Sequence, residues 1–128
     1  MFSNIKTSKS NKELVSRLTS KLNLGTENLI ARISMAHSLG LDRRLELANI
    51  ADAGGKEYSF KVLFGDNYDY YIALICVHYN LYKTDKDIPR YVKMHIDDGL
   101  ELLDKEFSTT LGIDSLVSII DKGLSVYA

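Results

Sequence analysis

Apolar residues recur every three or four positions over much of this chain, and that spacing predicts a small, mainly α-helical domain. In "SNKELVSRLTSKLNLG", Leu14, Leu18 and Leu22 repeat every four residues and Val15 widens the stripe. Ser10 followed by Glu13 is a capping-box pattern at the start of this helix, and Gly25 marks its expected stop. A second helix follows at once, with Thr26 as N-cap and Glu27 at the positive end of the dipole. Leu29, Ile33, Ala36 and Gly40 trace its predicted packed face. The short turn between the two makes a tight pair of helices.

The period then changes. Tyr58, Phe60, Val62 and Phe64 alternate with Ser59, Lys61 and Leu63, which predicts a strand between the Gly54-Gly55 and Gly65-Asp66 turns. A lone strand cannot stand. Its partner is expected in the weakly alternating "FSNIKT" of residues 2–7, in residues 45–53, or across a subunit boundary. "NYDYYIALICVHYNLY" reads as a helix over residues 68–82 that is apolar on nearly every side. A domain this small cannot wrap such a helix, which predicts an oligomer. "DKDIPRYVKMHIDDGLELLDKEF" opens on Asp87 and Pro89, with Ile88, Val92, Ile96, Leu103 and Phe107 facing the core. A last helix is predicted from about Ile113, with Leu116, Ile119, Ile120 and Gly123 on one side.

The composition narrows the class. At 128 residues, 45% hydrophobic and 26% charged, the sequence fits one globular domain over residues 1–128. A lone Cys76 excludes an internal disulfide and a cysteine-cluster zinc site. The longest apolar run, "YIALICV", is too short to span a membrane, and the N-terminus has no signal-peptide core. The expectation is a cytoplasmic protein with no membrane contact.

Net charge is −1, but it is unevenly spread. Residues 1–44 hold eight Lys/Arg against three Asp/Glu, a net of +5, and residues 45–128 hold eight against fourteen, a net of −6. Lys6, Lys9, Lys12, Arg17, Lys21, Arg32, Arg43 and Arg44 form the cationic pool, beside a helix N-terminus with free N–H groups. No cluster of Asn, Gln and Arg suited to reading bases is evident, so contact with phosphate backbone is the inference.

The catalytic candidates are sparse. His95 and Asp98 stand three apart, so Asp98 could orient the ring without completing a metal site. His95 is placed at the edge of packed surface, and Asp97 and Glu101 on the solvent side, in ordinary pairs with Lys93 and Lys105. Position 99 is a glycine where a zinc motif wants a second histidine. Cys76 reads as a core thiol with a raised pKa, away from His78 and His37. No phosphate-binding glycine loop, dinucleotide fingerprint or nucleophile elbow occurs. The residues name no catalytic site, no metal and no cofactor.

"ELVSRLTSKLNLGTENLIARISMAHSLG", "KVLFGD" and "YVKMHIDDGLELL", in that order and covering most of residues 10–105, resemble the DndE family of bacterial DNA phosphorothioation systems. The resemblance implies a mainly helical tetramer that binds DNA, preferring nicked duplex, through surface lysines. It also implies partner subunits, a cysteine desulfurase and ATP- and iron–sulfur-dependent proteins, that perform the sulfur chemistry. Lys12, Arg17, Lys21 and Arg32 fall within the resembling segments, whereas Lys6, Lys9, Arg43 and Arg44 rest on charge and position. The β-α-α opening is also similar to ribbon-helix-helix folds. The leading expectation is a non-catalytic DNA-backbone-binding subunit. The alternatives are a ribbon-helix-helix transcriptional regulator and a small enzyme using His95 and Asp98.

Overall fold

The computed structural model describes residues 4–108. The helix predicted from about Ile113 lies outside them. A short strand β1 (Asn4–Lys6) leads into α1 (Asn11–Lys21) and α2 (Glu27–Gly40). After a loop with one 3-10 turn come β2 (Glu57–Ser59), α3 (Phe60–Phe64), α4 (Tyr68–Tyr79) and the long α5 (Ile88–Phe107). The chain is therefore mainly helical with a β-α-α opening.

β1 and β2 pair antiparallel, with Ile5 opposite Tyr58. The strand's partner is thus the N-terminal segment of the same chain, the first of the three expected options. Thr7 N–H to the Lys56 carbonyl and Gly55 N–H to the Thr7 carbonyl carry the pairing onward. A Cβ at Gly55 would stand 2.1 Å from the Ser8 carbonyl oxygen, so only glycine fits this approach.

The predicted strand over 58–64 is shorter than expected. It ends at Ser59, whose hydroxyl accepts from Val62 N–H at 3.1 Å and caps α3. Phe60, Leu63 and Phe64 then point inward at helical spacing, while Val62 is 63% exposed. The alternating letters fit both periods, and a serine cap beside a pairing strand of only three residues favours the helix.

The capping box at Ser10 does not form. Ser10 has helical backbone angles and makes no side-chain cap. Ser8 accepts from Asn11 N–H through its hydroxyl at 3.3 Å, so the cap sits two residues earlier. The helix also closes before Gly25: Asn23 takes the left-handed conformation (φ 54°) and Leu24 N–H reaches the Thr19 carbonyl.

α5 is the central element and packs mainly on α2. Ile88, Val92, Ile96, Leu103 and Phe107 are buried along it, as its periodicity predicts, and Leu100 joins them. A Cβ at Gly99 would lie 1.9 Å from the Ser34 carbonyl oxygen, so the two backbones cross at contact distance. That crossing corrects the expected face of α2. Ile30, Ala31, Ser34, Met35 and Ser38 are buried, whereas Leu29 and Ile33 are half-buried and Ala36 is exposed. Small Ser34 admits α5, and the expected row is only partly covered: Ile33 packs at the edge of the core, Ala36 is exposed and Gly40 is buried.

Candidate functional site

Two polar regions stand out, one at the core of α5 and one at the β1–α1 junction. His95 is fully buried rather than at the surface edge. Its Nδ1 lies 2.8 Å from Ser38 Oγ, and its Nε2 lies 2.6 Å from the Tyr79 hydroxyl. Asp98 does not bond His95 directly. It takes Ser38 Oγ at 2.6 Å and a two-pronged Arg43 at 3.0 and 2.8 Å.

Donor bookkeeping orders this chain of contacts. Burial alone would push the Asp98 carboxyl up, but Arg43 and Ser38 hold it below the usual range. It is an ionised acceptor, so the single Ser38 hydrogen goes to it. Ser38 must then accept from His95 Nδ1–H, which leaves Nε2 to accept from Tyr79. Tyr79 in turn accepts Leu45 N–H at 3.1 Å. This assigns the His95 tautomer from the network. Burial, with nearby His78 second, lowers the His95 pKa to about 4, so the ring is neutral at pH 7.

The order matters chemically. Activation of a serine nucleophile needs histidine between serine and carboxylate. Here Ser38 is in the middle, fully buried, with its hydrogen already committed to Asp98. The network ties the 42–45 loop to α2, α4 and α5.

Asp97 is likewise not on the solvent side. It pairs with Lys93, and both are buried. Its Oδ1 accepts Ser8 N–H at 3.0 Å and the Asn11 amide at 2.8 Å, fastening the β1–α1 junction to α5. Glu101 is exposed. Cys76 is half-buried, and burial followed by Asp85 raises its thiol pKa. Among the described residues, no three His, Cys, Asp or Glu converge to hold a metal ion. Nor, among them, is any helix long and apolar enough to cross a membrane.

The eight cationic residues fall into distinct settings. Lys6, Lys9 and Lys12 are exposed at the β1–α1 junction. Arg17 pairs with Asp104 at 3.0 Å, and Lys21 donates to the Phe107 carbonyl beside that ring. Arg43 is spent on Asp98. Arg44 is exposed on a groove lined with Glu46, Asp98 and Glu101. Arg32 is half-buried, and its Nε meets no acceptor among the described residues. Lys6, Lys9 and Lys12 are thus exposed in the β1–α1 segment, whereas Arg17, Lys21 and Arg43 are engaged with α5. The structure also brings Arg90 and Lys93 to a shallow groove shared with Lys6. The sequence signal for these two was Pro89, which places them in the first turns of α5.

With this fold described, its relationships are informative. The profile of the family described as DNA sulphur modification protein DndE matches residues 4–110. The chain belongs to the DndE family. Its structure is similar to the crystal structure of DndE from Escherichia coli B7A, a protein involved in DNA phosphorothioation modification. The TM-score is 0.65 at 16% identity, covering 80% of this chain and 99% of the E. coli DndE chain. No curated protein sequence matches. Membership in the DndE family makes the chain a component of DNA sulphur modification, and the structural likeness establishes that it has the DndE fold.

Proposed function

We propose that this chain is a non-catalytic, DNA-backbone-binding subunit of a DNA phosphorothioation complex in the cytoplasm, working as a homo-oligomer beside subunits that perform the sulfur chemistry. The observation that carries the reading is a DNA-modification family match across nearly the whole described fold. Three exposed lysines at the β1–α1 junction, with no ion pair among the described residues, supply the phosphate contacts. Of the eight cationic positions, Lys6, Lys9 and Lys12 are the primary contacts. Arg32 and Arg44 are secondary, and Arg17, Lys21 and Arg43 act chiefly within the fold. Nicked duplex is the proposed preferred substrate, and a tetramer the proposed assembly. Phosphate contacts carry no base information, so unrelated sequences should bind alike.

Fluorescence anisotropy on nicked duplex over a salt series tests this. If assembled copies pool their lysines and neutralise roughly 4–6 phosphates, log K should fall with log salt at a slope of about −4 to −5. Lys9→Ala should weaken binding to a scrambled duplex as much as to the first one. A flat salt response, or a loss confined to one DNA sequence, removes backbone binding as the function.

The assembly face is supported by α4. Tyr70 and Val77 are 62% and 83% exposed, and Tyr82 just beyond is 86% exposed. Tyr79, in contrast, is engaged with His95 and Leu45, so its replacement would disturb the fold first. Val77→Glu should dissociate the assembly in sedimentation at tens of micromolar, and a wild-type monomer at that concentration would overturn this part.

A further inference from the structure

Residues 7–10 join β1 to α1 without regular structure, and exposed lysines stand before, within and after them. Lys6 ends β1, Lys9 lies in the junction and Lys12 is in the first turn of α1. A connection of this kind is ordinarily mobile. Here every backbone N–H from Thr7 to Lys9 is held by a distant part of the chain. Thr7 N–H donates to the Lys56 carbonyl at 2.9 Å. Ser8 N–H donates to Asp97 Oδ1 at 3.0 Å, and Lys9 N–H to Asp52 Oδ2 at 2.9 Å. Two adjacent amides are thus gripped by two carboxylates, one from α5 and one from the loop before β2.

Stability alone accounts for neither carboxylate. Asp97 and its partner Lys93 are both buried, and a buried ion pair adds little net stability against the cost of desolvating it. What the pair supplies is a fixed acceptor. Oδ2 is tied to Lys93, while Oδ1 faces Ser8 N–H and the Asn11 amide at 2.8 Å. Asp52 is an exposed acid beside a segment that presents cations. Its Oδ2 also accepts Gly54 N–H at 3.0 Å, and the Lys9 and Gly54 N–H groups hold its carboxyl below the usual range. A negative charge there opposes phosphate binding, so the role left to it is the hydrogen bond to Lys9.

We infer that Asp97 and Asp52 are positioning residues for DNA: together they fix the Ser8–Lys9 backbone and so preset how Lys6, Lys9 and Lys12 meet phosphate. This rests on the DNA-backbone reading above. Ordering the junction during folding removes an entropic cost that binding would otherwise carry. The grip raises affinity without adding a phosphate contact. Its loss should therefore lower affinity at an unchanged salt slope.

Fluorescence anisotropy on nicked duplex over a salt series compares Asp52→Asn with Asp52→Ala. Both remove the charge, but only asparagine keeps an oxygen for the Lys9 and Gly54 N–H groups. Asp52→Asn should bind at least as tightly as wild type, and Asp52→Ala about fivefold more weakly than Asp52→Asn at the same slope. Equal affinities overturn positioning by Asp52. For Asp97, Lys93→Met together with Asp97→Leu removes both ions, since either change alone would strand a buried charge. The double variant should bind about fivefold more weakly at an unchanged slope, with faster amide exchange at Ser8. Unchanged affinity overturns positioning by Asp97. A slope reduced by about 1 makes Lys93 a phosphate contact and overturns it as well. Circular dichroism checks that each variant is folded in the assay, and if the double variant is not, the Asp52 pair decides the proposal. A flat slope in wild type removes the DNA reading itself, a result distinct from equal variants on a steep slope.

Discussion

His95 is a neutral imidazole enclosed by Ser38, Tyr79 and the His78 ring, and this has a consequence for stability. Its folded pKa of about 4 lies below the ordinary histidine value of 6.5. The unfolded chain therefore takes up a proton first as pH falls. Stability from this group is complete above about pH 6.5 and is lost progressively down to about pH 4. Between pH 7 and pH 5 the loss should be about 2 kcal/mol. Urea denaturation at the two pH values measures it, and His95→Gln should flatten that slope whatever its effect at pH 7. An unchanged slope would mean that the ring is charged in the fold. Cys76, half-buried with a raised thiol pKa, is argued to be structural. Cys76→Ser should cost about 1 kcal/mol and leave DNA modification in cells intact. A variant that folds but no longer supports modification would give the thiol a chemical role.

The α2–α5 crossing is the element that the rest of the fold depends on. Ser34 and Gly99 let the two backbones touch, which in turn brings Ser38 onto His95 and Asp98. Gly99→Ala forces a Cβ into the Ser34 carbonyl, and the rigid backbone there has no side chain to move aside. Such overpacking should cost about 3 kcal/mol in denaturant titration. A loss under 1 kcal/mol would show that the helices separate freely. The same crossing explains why Leu29 and Ile33 are only half-buried and Ala36 is exposed although their spacing is that of a buried row. An apolar stripe shows that a face is to be covered; it does not say by which element.

At the scale of the molecule, charge is sorted by folding. Arg17, Lys21 and Arg43 come from the basic segment but are turned onto Asp104, Phe107 and Asp98 of α5. Lys6, Lys9 and Lys12 stay in solvent. Removing an exposed lysine should therefore weaken DNA binding and reduce the salt slope by about 1. Arg17→Ala should do less to affinity and more to stability. If anisotropy ranks Arg17→Ala above Lys9→Ala, the DNA surface lies along α1 and α5 instead.

The sequence alone determined what depends on local spacing. Helical periodicity placed α1, α2, α4 and α5 and the core row of α5 from Ile88 to Phe107. It also held the cationic residues together in one segment. Tertiary structure decided what depends on neighbours distant in the chain. Phe60–Phe64 became a helix because Ser59 caps it and the β1–β2 ladder ends there. Asp97 moved from the surface to the core because Ser8 and Asn11, more than eighty positions away, give it hydrogen bonds. His95 gained Ser38 and Tyr79 from two other helices. A carboxylate or imidazole can be buried only where distant groups satisfy it, and local sequence carries no record of those groups.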